Sequence, residues 1–289
     1  MSPVSPPLFI AEVSSNHHQD LDRCREFIDV AADIGCDAVK FQLFRLESLF
    51  APEILTQSET HRARKAWELP SSFIPELAVR CKLRDVAFCC TPFDLEAVEI
   101  LKPHVDFFKI ASYELLWDKL LRACSRTGRP LILSTGMADL EEVRHAVEVL
   151  RRFGCGDFRL LHCSSAYPTP AEACNLAAME TLSTEFQCPV GWSDHSRDMG
   201  VLFRAVNRWN ASIIEFHLDL DAKGAEYEAG HCWLPEQIKP VIAGIKSGFA
   251  ADGDGCKQPN SFELPDRQWR ADPEDGLRPL REMRARFAP

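Results

Sequence analysis

The chain has 289 residues with a formal net charge of -10, and 46% of its residues are hydrophobic and 26% charged. This composition excludes a disordered or fibrous chain, and the acidic balance argues against nucleic-acid binding, which needs a basic face to neutralise phosphates. No apolar run approaches the roughly 20 residues that cross a bilayer. Residues 1–12 lack the basic and apolar regions of a signal peptide, so a cytoplasmic protein without a membrane partner is expected.

Short runs rich in β-branched or aromatic residues recur along the chain, and a stretch with helical spacing follows each of them. The runs occupy residues 8–13, 38–44, 86–90, 107–111, 131–134, 158–163, 190–193 and 212–217. Two helical stretches are clear. Residues 20–35 carry Phe27, Ile28 and Ala31 on one face and end in glycine, and residues 139–154 open on an aspartate and also end in glycine.

Eight strands that alternate with helices predict an α/β fold, a (β/α)8 TIM barrel with a short irregular C-terminal tail. A doubly wound open sheet is the alternative. No G-x-G-x-x-G follows the first strand, which runs from Glu12 into Val13 and Ser14, and this favours the barrel. The predicted division places the barrel at residues 1–250 and the tail at residues 251–289.

Two segments break the alternation of strands and helices. Residues 45–70 form a polar, charged insertion, long enough for a loop or a short helix over the barrel mouth. The tail is rich in Gly, Asp, Pro and Arg, yet it contains Trp269, which is unusual in a disordered segment. We therefore expect the tail to pack on the barrel or to cover the site.

Polar residues stand at the predicted C-terminal end of nearly every strand, where active sites of such barrels are built. Charges at so many strand ends bring no structural benefit, so together they predict a catalytic mouth. They include Glu12, Asn16, His17, Lys40, Gln42, Thr91, Lys109, Ser112, Glu114, Ser134, Thr135, His162, Ser164, Ser165, Ser193, Asp194, His195, Glu215 and His217.

Lys40 and Lys109 lie within otherwise apolar strands, where an unpaired ammonium group would be expensive. A bound anion or an acidic neighbour is therefore expected, and nearby hydroxyl groups predict a phosphate or carboxylate pocket. Two alternatives remain open at this point. One is a Lys–Glu network without a ligand, and the other is a lysine that forms a Schiff base with its substrate.

His195 and His217 end adjacent strands, so their imidazoles are expected on the same side of the mouth. A site with two histidine ligands, further oxygen ligands and vacant coordination positions suits a divalent transition metal that acts as a Lewis acid. The alternative is that they are hydrogen-bonded core residues. His231 follows the last strand on a loop and is a candidate to face the substrate.

Several motifs resemble, in chain order, the barrel of the N-acetylneuraminate (sialic acid) synthase family, which includes legionaminate and pseudaminate synthases. They are IAEVSSNH, DAVKFQ, TPFD, FKIASYEL, LILSTGM, LLHCSSAYPTP, GWSDHS and IIEFHLDLD. The resemblance spans residues 8–245 and is specific for the family, though not for the sugar.

The resemblance implies a transferase that condenses phosphoenolpyruvate with an N-acetylated, N-acetylmannosamine-like aminosugar aldehyde, giving a sialic-acid-type nonulosonic acid and phosphate. It implies a divalent metal, Mn²⁺ with Mg²⁺ or Co²⁺ as options, held by His195 and His217, and it places Glu12 and Glu114 at the sugar and the reacting atoms. The positions that hold phosphoenolpyruvate fall on Lys40, Thr91, Lys109, Ser112, Ser134, Tyr167 and Ser193. Gln42, Ser165 and Asp194 complete the predicted substrate-binding set at the strand ends.

The chain departs from the family pattern in two places within the barrel. Ser14 and Gln19 replace both glycines of the usual G-x-N-H-N-G segment, and GAEYEAGHCW replaces the common G-P-D-H segment. Counting without gaps puts Glu228 where the sugar-binding aspartate lies in the family, with Glu226 as a rival. These departures predict a changed aldehyde substrate.

The family generally carries a C-terminal antifreeze-like domain, which reaches across a dimer and places an arginine over the partner's sugar site. We expect the tail at residues 266–280 to supply that arginine instead, from Arg270 or Arg267. The expected partners are small molecules without nucleic acid, and a homodimer is one option. Two other functions stay open, a catalytically altered sugar-binding barrel and a Schiff-base aldolase or lyase that uses Lys109.

Overall fold

Eight parallel strands close into a barrel in the computed structural model, which describes residues 5–287. Each strand pairs with the next along the chain, and β1 (Leu8–Glu12) pairs with β8 (Ile213–His217), so the sheet has no edge. The other strands are β2 (Ala38–Leu43), β3 (Ala87–Pro92), β4 (Phe107–Ile110), β5 (Leu131–Ser134), β6 (Phe158–His162) and β7 (Val190–Asp194). The predicted (β/α)8 barrel is confirmed, and the open sheet is wrong because β1 and β8 are hydrogen-bonded.

Helices fill the connections between the strands. They are α1 (Leu21–Asp33), α2 (Leu46–Leu49), α3 (Pro52–Gln57), α4 (Glu59–Ala63), α5 (Ile74–Leu83), α6 (Leu95–Leu101), α7 (Asp118–Ser125), α8 (Leu140–Arg152), α9 (Ala178–Phe186), α10 (Met199–Asn207), α11 (Ala225–Ala229), α12 (Pro235–Ala251) and α13 (Arg281–Arg284). Short 3-10 turns lie at Arg64–Trp67, Ser71–Phe73, Ser112–Glu114, Ala171–Ala173 and Arg267–Trp269.

The two helices predicted most clearly begin where their capping residues dictate. The Asp20 carboxylate accepts hydrogen bonds from the first-turn N–H groups of α1, and Asp139 and Glu142 form a capping box at the start of α8. Phe27, Ile28 and other buried residues of α1 then face the sheet. Local sequence therefore sets where these helices start and which face they bury.

The barrel interior is packed with side chains below the mouth. Ile10, Ala38, Ile132, Leu161 and Ile213 come from five different strands and form one buried cluster. Such filling makes the barrel a solid core rather than a pore, so the polar strand ends above it have a rigid base.

The insertion at residues 45–70 folds into short helices rather than one loop, with α2, α3, α4 and a 3-10 turn in succession. Gln19, in the connection after β1, donates hydrogen bonds to the carbonyls of Lys65 and Glu68. The insertion is therefore tied to the same connection that carries the predicted site residues Asn16 and His17.

The chain divides into two units, residues 1–247 and residues 248–289. Residues 1–4 of the predicted barrel and residues 288–289 of the predicted tail lie outside the described range. Within the second unit, Arg284 forms an ion pair with Asp275, and the rings of Trp269 and Phe287 are 6.2 Å apart. Among residues 5–287, no helix combines the length and the apolar character needed to span a membrane.

Candidate active site

The register of the barrel brings charged strand ends side by side. Glu12 at the end of β1 lies level with Lys40 of β2 on one side and with His217 of β8 on the other. Ser193 of β7 lies level with Glu215 of β8. Because all the strands are parallel, their carboxyl ends share one rim, and residues from separate motifs meet at one mouth.

Four buried charged residues form an ion network under this mouth. Lys40 Nζ is 2.7 Å from Glu12 Oε2 and 3.5 Å from Glu215 Oε1, and Lys109 Nζ is 3.1 Å from the same Glu215 oxygen. Ser193 Oγ donates a hydrogen bond of 3.1 Å to that oxygen. The two ammonium groups and two carboxylates balance in charge, as buried ions require.

The ion network fixes the charges of its members. Burial alone would lower the pKa of Lys40, but the nearby Glu12 and Glu215 carboxylates outweigh it and raise that pKa. Burial alone would raise the pKa of Glu215, whereas Lys109 and Lys40 lower it. The expected acidic neighbours of both lysines are present. This arrangement disfavours the Schiff-base alternative, since an imine-forming lysine must attack as a neutral amine.

Three buried hydroxyl oxygens at or after the carboxyl ends of barrel strands have no hydrogen-bond partner among residues 5–287. They belong to Thr91 of β3, Ser134 of β5 and Ser165 after β6. A buried polar group without a partner costs about 1–3 kcal/mol, so such groups are rare unless a ligand satisfies them. Their presence at the predicted anion pocket is an independent indication that this pocket binds a polar ligand.

Gly136 lies so close to the hydroxyls of Ser112 and Ser165 that an added Cβ would clash with both. A Cβ added there would lie 2.8 Å from both Ser112 Oγ and Cys163 Sγ, and closer still to Ser165 Oγ. The Gly136 N–H donates a hydrogen bond of 3.0 Å to Ser112 Oγ. Backbone N–H groups and hydroxyls in such a concave surface suit the oxygens of a phosphate or carboxylate.

His195 and His217 lie together, as their positions on adjacent strands predict, with ring centroids 5.4 Å apart. His195 Nδ1 is 2.8 Å from the Ser164 carbonyl, which accepts only, so Nδ1 carries the proton and Nε2 keeps its lone pair. Burial, and then the nearby His217, lower the pKa of His195 to about 3. His195 is therefore neutral at physiological pH, the form that binds metals.

Glu226 of α11 contacts both the segment that follows β1 and the histidines at and after the end of β8. Its Oε1 accepts hydrogen bonds from Ser14 Oγ at 2.5 Å and from Ser15 Oγ at 2.7 Å, while Oε2 lies 2.9 Å from His217 Nδ1 and 3.5 Å from His231 Nε2. Burial would raise the pKa of Glu226, but hydrogen bonds from both histidines lower it well below its usual value. Glu226 is therefore a carboxylate.

A group of potential metal ligands surrounds this carboxylate. One ligand atom from each of His217, Glu226, His231 and Cys232 lies within 4.8 Å of the other three. Imidazole, carboxylate and thiol groups are all ligands of divalent transition metals. The residues present therefore fit a metal ion, both at the His195–His217 pair and at this four-residue group.

Three further predicted residues have distinct chemistry. Burial raises the pKa of Glu114 to about 7, and its Oε2 has no hydrogen-bond partner among the described residues. Tyr167 stacks near His195, with ring centroids 4.2 Å apart. Gln42 Nε2 donates a hydrogen bond of 2.6 Å to Glu12 Oε1 and so fixes that carboxylate.

Ser14 and Gln19, which replace the two family glycines, both adopt left-handed backbone conformations with φ of 49° and 56°. Such conformations favour glycine, because a Cβ there crowds the backbone. The chain adopts these two conformations without glycine at either position. In exchange it places the Ser14 hydroxyl against Glu226 and the Gln19 amide against the insertion.

Within the barrel unit, not every predicted site residue points into the mouth. Glu228 is exposed on α11, whereas its rival Glu226 is the residue that points inward. Both oxygens of Asp194 accept hydrogen bonds from indole N–H groups, Oδ1 from Trp192 and Oδ2 from Trp233, so Asp194 supports the loops around the mouth. Arg270 belongs to the second unit, where its Nε donates to the Arg267 carbonyl.

Three residues at the site have a larger part than sequence reasoning assigned to them. Glu215 pairs with both lysines. It lies two residues before His217 on the same strand, and this spacing predicts that both side chains point to the same face of the sheet. Glu226 and Cys232 reach His217 only because α11 and the following loop fold back over β8. Nothing in the spacing of the sequence indicates that return.

Comparison with known proteins gives the family. The sequence profile of the NeuB family matches residues 27–257. The chain belongs to the NeuB family. It is 39% identical over 260 residues to an uncharacterised protein of Methanocaldococcus jannaschii, with 89% of this chain and 75% of that protein covered. It is 35% identical over 272 residues to the N,N'-diacetyllegionaminic acid synthase of Campylobacter jejuni, covering 89% and 80% of the two chains.

A solved structure supports the same assignment. The N-acetylneuraminic acid (sialic acid) synthetase of Leptospira borgpetersenii, in complex with citrate, superposes with a TM-score of 0.80 at 31% identity, covering 91% of this chain and 90% of that one. The resemblance inferred from the motifs is confirmed. As a NeuB family member with synthase relatives, the chain is an enzyme of the condensing transferase class.

Proposed function

We propose that the chain condenses phosphoenolpyruvate with an N-acetylated aminosugar aldehyde, giving a sialic-acid-type nonulosonic acid and phosphate. The observation that carries this proposal is the anion pocket. Two buried lysines share the rim of the barrel with three buried hydroxyls that have no protein partner among the described residues, and a Cβ at Gly136 would clash with Ser165, one of those three hydroxyls. Phosphoenolpyruvate carries both a phosphate and a carboxylate, which such a pocket can bind.

The anion pocket holds and orients this substrate. Lys40 and Lys109 supply positive charge that Glu12 and Glu215 keep in place, and the hydroxyls of Thr91, Ser134 and Ser165 are free to donate. A rigid set of donors lowers the barrier mainly by positioning, since it needs no rearrangement when charge develops. The ammonium groups therefore act as fixed charges rather than as nucleophiles.

The aldehyde end of the site lies at the histidines. His195 offers Nε2, and His217, Glu226, His231 and Cys232 offer further ligand atoms. A divalent metal held there, with Mn²⁺ expected and Mg²⁺ or Co²⁺ as options, would supply Lewis-acid polarisation of the aldehyde oxygen. Tyr167 packs against His195 at this end of the mouth, with ring centroids 4.2 Å apart.

The proposed reaction forms one carbon–carbon bond and exchanges one carbon–oxygen bond at C2 for another. C3 of phosphoenolpyruvate bonds to the aldehyde carbon, and water oxygen replaces the phosphate oxygen at C2, which becomes the keto group. Of the two protons of that water, one ends on the new hydroxyl and the other leaves with the phosphate. Glu114, with a pKa of about 7, can accept a proton near neutral pH. Glu12 is less suited to that step, since its Oε1 accepts a hydrogen bond from Gln42 and its Oε2 lies 2.7 Å from the Lys40 ammonium group.

Two predicted sugar contacts remain proposals. Glu228 is exposed on the same short helix as Glu226, and Arg270 lies in the second unit. If they bind the sugar, Glu228→Gln and Arg270→Ala each raise the KM for the sugar and leave the KM for phosphoenolpyruvate unchanged. An unchanged sugar KM in either variant contradicts the role of that residue.

The experiment that tests the function measures phosphate release from phosphoenolpyruvate in the presence of Mn²⁺. The sugars are N-acetylmannosamine, other N-acetylated hexosamines and their diacetamido-trideoxy relatives, with His217→Ala as the control protein. Release that requires both a sugar and His217 supports the proposal, and the sugar with the highest kcat/KM names the substrate class. No release with any sugar from a metal-loaded protein contradicts it.

The remaining alternatives give different outcomes. A Schiff-base aldolase or lyase that uses Lys109 is trapped covalently by borohydride in the presence of pyruvate, and Lys109→Met abolishes the adduct. A catalytically altered barrel binds a sugar without phosphate release. The Lys109–Glu215 ion pair leads us to expect no adduct.

A further inference from the structure

We propose that Glu226 is a positioning residue for metal binding, because its carboxylate holds the Nδ1–H of His217 and leaves Nε2 of that ring to bind the divalent ion beside His195. The inference rests on the proposed function in one respect, since it takes the His195–His217 pair as the metal site. It gives Glu226 a role at the metal rather than at the sugar.

His195 and His217 are held in the same way by different acceptors. His195 Nδ1 donates to the Ser164 carbonyl at 2.8 Å, and His217 Nδ1 donates to Glu226 Oε2 at 2.9 Å. Carbonyl and carboxylate oxygens only accept hydrogen bonds, so each neutral ring carries its proton on Nδ1 and keeps the lone pair on Nε2. The two rings end adjacent strands, with centroids 5.4 Å apart. Two rings that keep the same nitrogen free are suited to bind one ion.

The partners of Glu226 favour a carboxylate that orients a ligand over one that binds the ion itself. Oε1 accepts hydrogen bonds from Ser14 Oγ at 2.5 Å, from Ser15 Oγ at 2.7 Å and from the Ser15 N–H at 3.2 Å. Oε2 accepts from His217 Nδ1 and lies 3.9 Å from Cys232 Sγ. Although Oε2 is one of the atoms that could bind an ion, an ion there would have to replace its hydrogen bond with His217.

Ser14 fixes the carboxylate from the side of β1. Its hydroxyl donates to Glu226 Oε1 and accepts a hydrogen bond of 3.3 Å from Gln42 Nε2, and the same Gln42 nitrogen donates to Glu12 Oε1. Hydrogen bonds therefore connect His217 at the end of β8 with Glu12 at the end of β1. Outer partners of this kind keep a metal-binding imidazole in one orientation and raise its basicity, and their loss lowers metal affinity about 10–100-fold.

One difference between the two histidines makes the role of Glu226 testable. The acceptor of His195 is a main-chain carbonyl, which no substitution removes, whereas the acceptor of His217 is a side chain. Glu226→Ala therefore takes the Nδ1 acceptor from one ligand and leaves the other ligand intact. Glu226→Gln keeps an oxygen that can accept from Nδ1 but removes the negative charge.

The first measurement is a titration with Mn²⁺ in which electron paramagnetic resonance follows the free ion. We expect Glu226→Ala to bind Mn²⁺ about 10–100-fold more weakly than wild type, and Glu226→Gln to lie between them. Ser14→Ala, which removes one of the donors that hold Glu226, should show a smaller loss. Glu172→Gln, at an exposed position, is the control and should bind as wild type does. Equal affinity of Glu226→Ala and wild type overturns the proposal.

Proton magnetic resonance of the Co²⁺-loaded protein adds a readout that a general loss of structure would not give. High-spin Co²⁺ shifts the ring N–H protons of its histidine ligands far outside the ordinary range, and these signals disappear in D₂O because the protons exchange. We expect at least two such signals in wild type and in Glu226→Gln. Glu226→Ala should lose one, because the Nδ1–H of His217 then exchanges with water, and should keep that of His195.

Two results of this second measurement overturn the proposal. One is wild-type protein with fewer than two shifted exchangeable signals, whatever the variants show. The other is Glu226→Ala protein that keeps every signal of wild type, since the carboxylate would then not protect the N–H of a metal ligand.

Phosphate release measured on the same preparations separates this proposal from the proposed function. Weakened Mn²⁺ binding and a lost signal in Glu226→Ala, with no phosphate release from wild type with any sugar, contradict the proposed function alone. Sugar-dependent release from wild type, with Mn²⁺ affinity unchanged in Glu226→Ala, contradicts the positioning role alone.

Discussion

Ser14 Oγ donates a hydrogen bond of 2.5 Å to Glu226 Oε1, which joins the end of β1 to α11 across 212 positions of the sequence. Ser14 does so from a left-handed backbone conformation with φ of 49°. A residue that replaces a family glycine thus accepts backbone strain and anchors the carboxylate that holds two histidines.

Substitutions at Ser14 separate the strain from the hydrogen bond. Ser14→Ala keeps the strained backbone and loses a hydrogen bond to a charged group, so we expect it to lower the free energy of unfolding by about 2 kcal/mol. Ser14→Gly loses the same bond but relieves about 1 kcal/mol of strain. Urea denaturation measures both values. Equal stability of the two variants would show that the strain is absent.

Gly136→Ala tests the anion pocket. The added methyl group collides with the hydroxyls of Ser112 and Ser165, so we expect the KM for phosphoenolpyruvate to rise at least about 10-fold, which corresponds to about 1.4 kcal/mol. Gly156→Ala is the matched control, because nothing lies within 4 Å of a Cβ there. An unchanged KM in Gly136→Ala rules out this surface as the binding site.

Glu215→Gln tests the buried ion network. The change leaves Lys109 without its carboxylate partner, and loss of one member of a buried pair costs about 3–5 kcal/mol of unfolding free energy. Glu76→Gln, which breaks an exposed ion pair with Arg25, should lower the free energy of unfolding by less than about 1 kcal/mol. Thermal and urea denaturation give both numbers. A cost for Glu215→Gln as small as that of the control would contradict the network.

The raised pKa of Glu114 predicts a stability difference that depends on pH. The pKa of this carboxyl rises from 4.5 to about 7 on folding. Between pH 4.5 and pH 7 the folded state therefore binds more protons than the unfolded state, so the free energy of unfolding falls as the pH rises through this window. Glu114→Gln removes this effect. We expect the free energy of unfolding of the variant, measured relative to that of wild type, to rise by up to about 3 kcal/mol between pH 4 and pH 8.

The measurement is urea denaturation of wild type and variant at both pH values. Glu99→Gln, at an exposed position, is the control and should show no change with pH. A difference between wild type and Glu114→Gln that is independent of pH would mean that Glu114 titrates normally. The predicted proton-accepting role would then lose its basis.

The sequence by itself determined the eight strands, the helix starts and the inventory of reactive strand ends. These features depend on short-range patterns, because a strand alternates its side chains every second residue and a cap contacts groups within one turn. Parallel strands in a closed barrel bring their carboxyl ends to one rim, so Lys40, Lys109, His195 and His217 could be placed near one another without coordinates.

Only the tertiary structure decided how these residues pair. It gave both lysines a shared partner in Glu215, left the hydroxyls of Thr91, Ser134 and Ser165 without protein partners among residues 5–287, and turned Glu226 inward while Glu228 faces solvent. Such choices depend on the path of a loop and on distances of a few tenths of an ångström, neither of which residue spacing contains. The return of α11 over β8, which brings Cys232 to His217, is the clearest case.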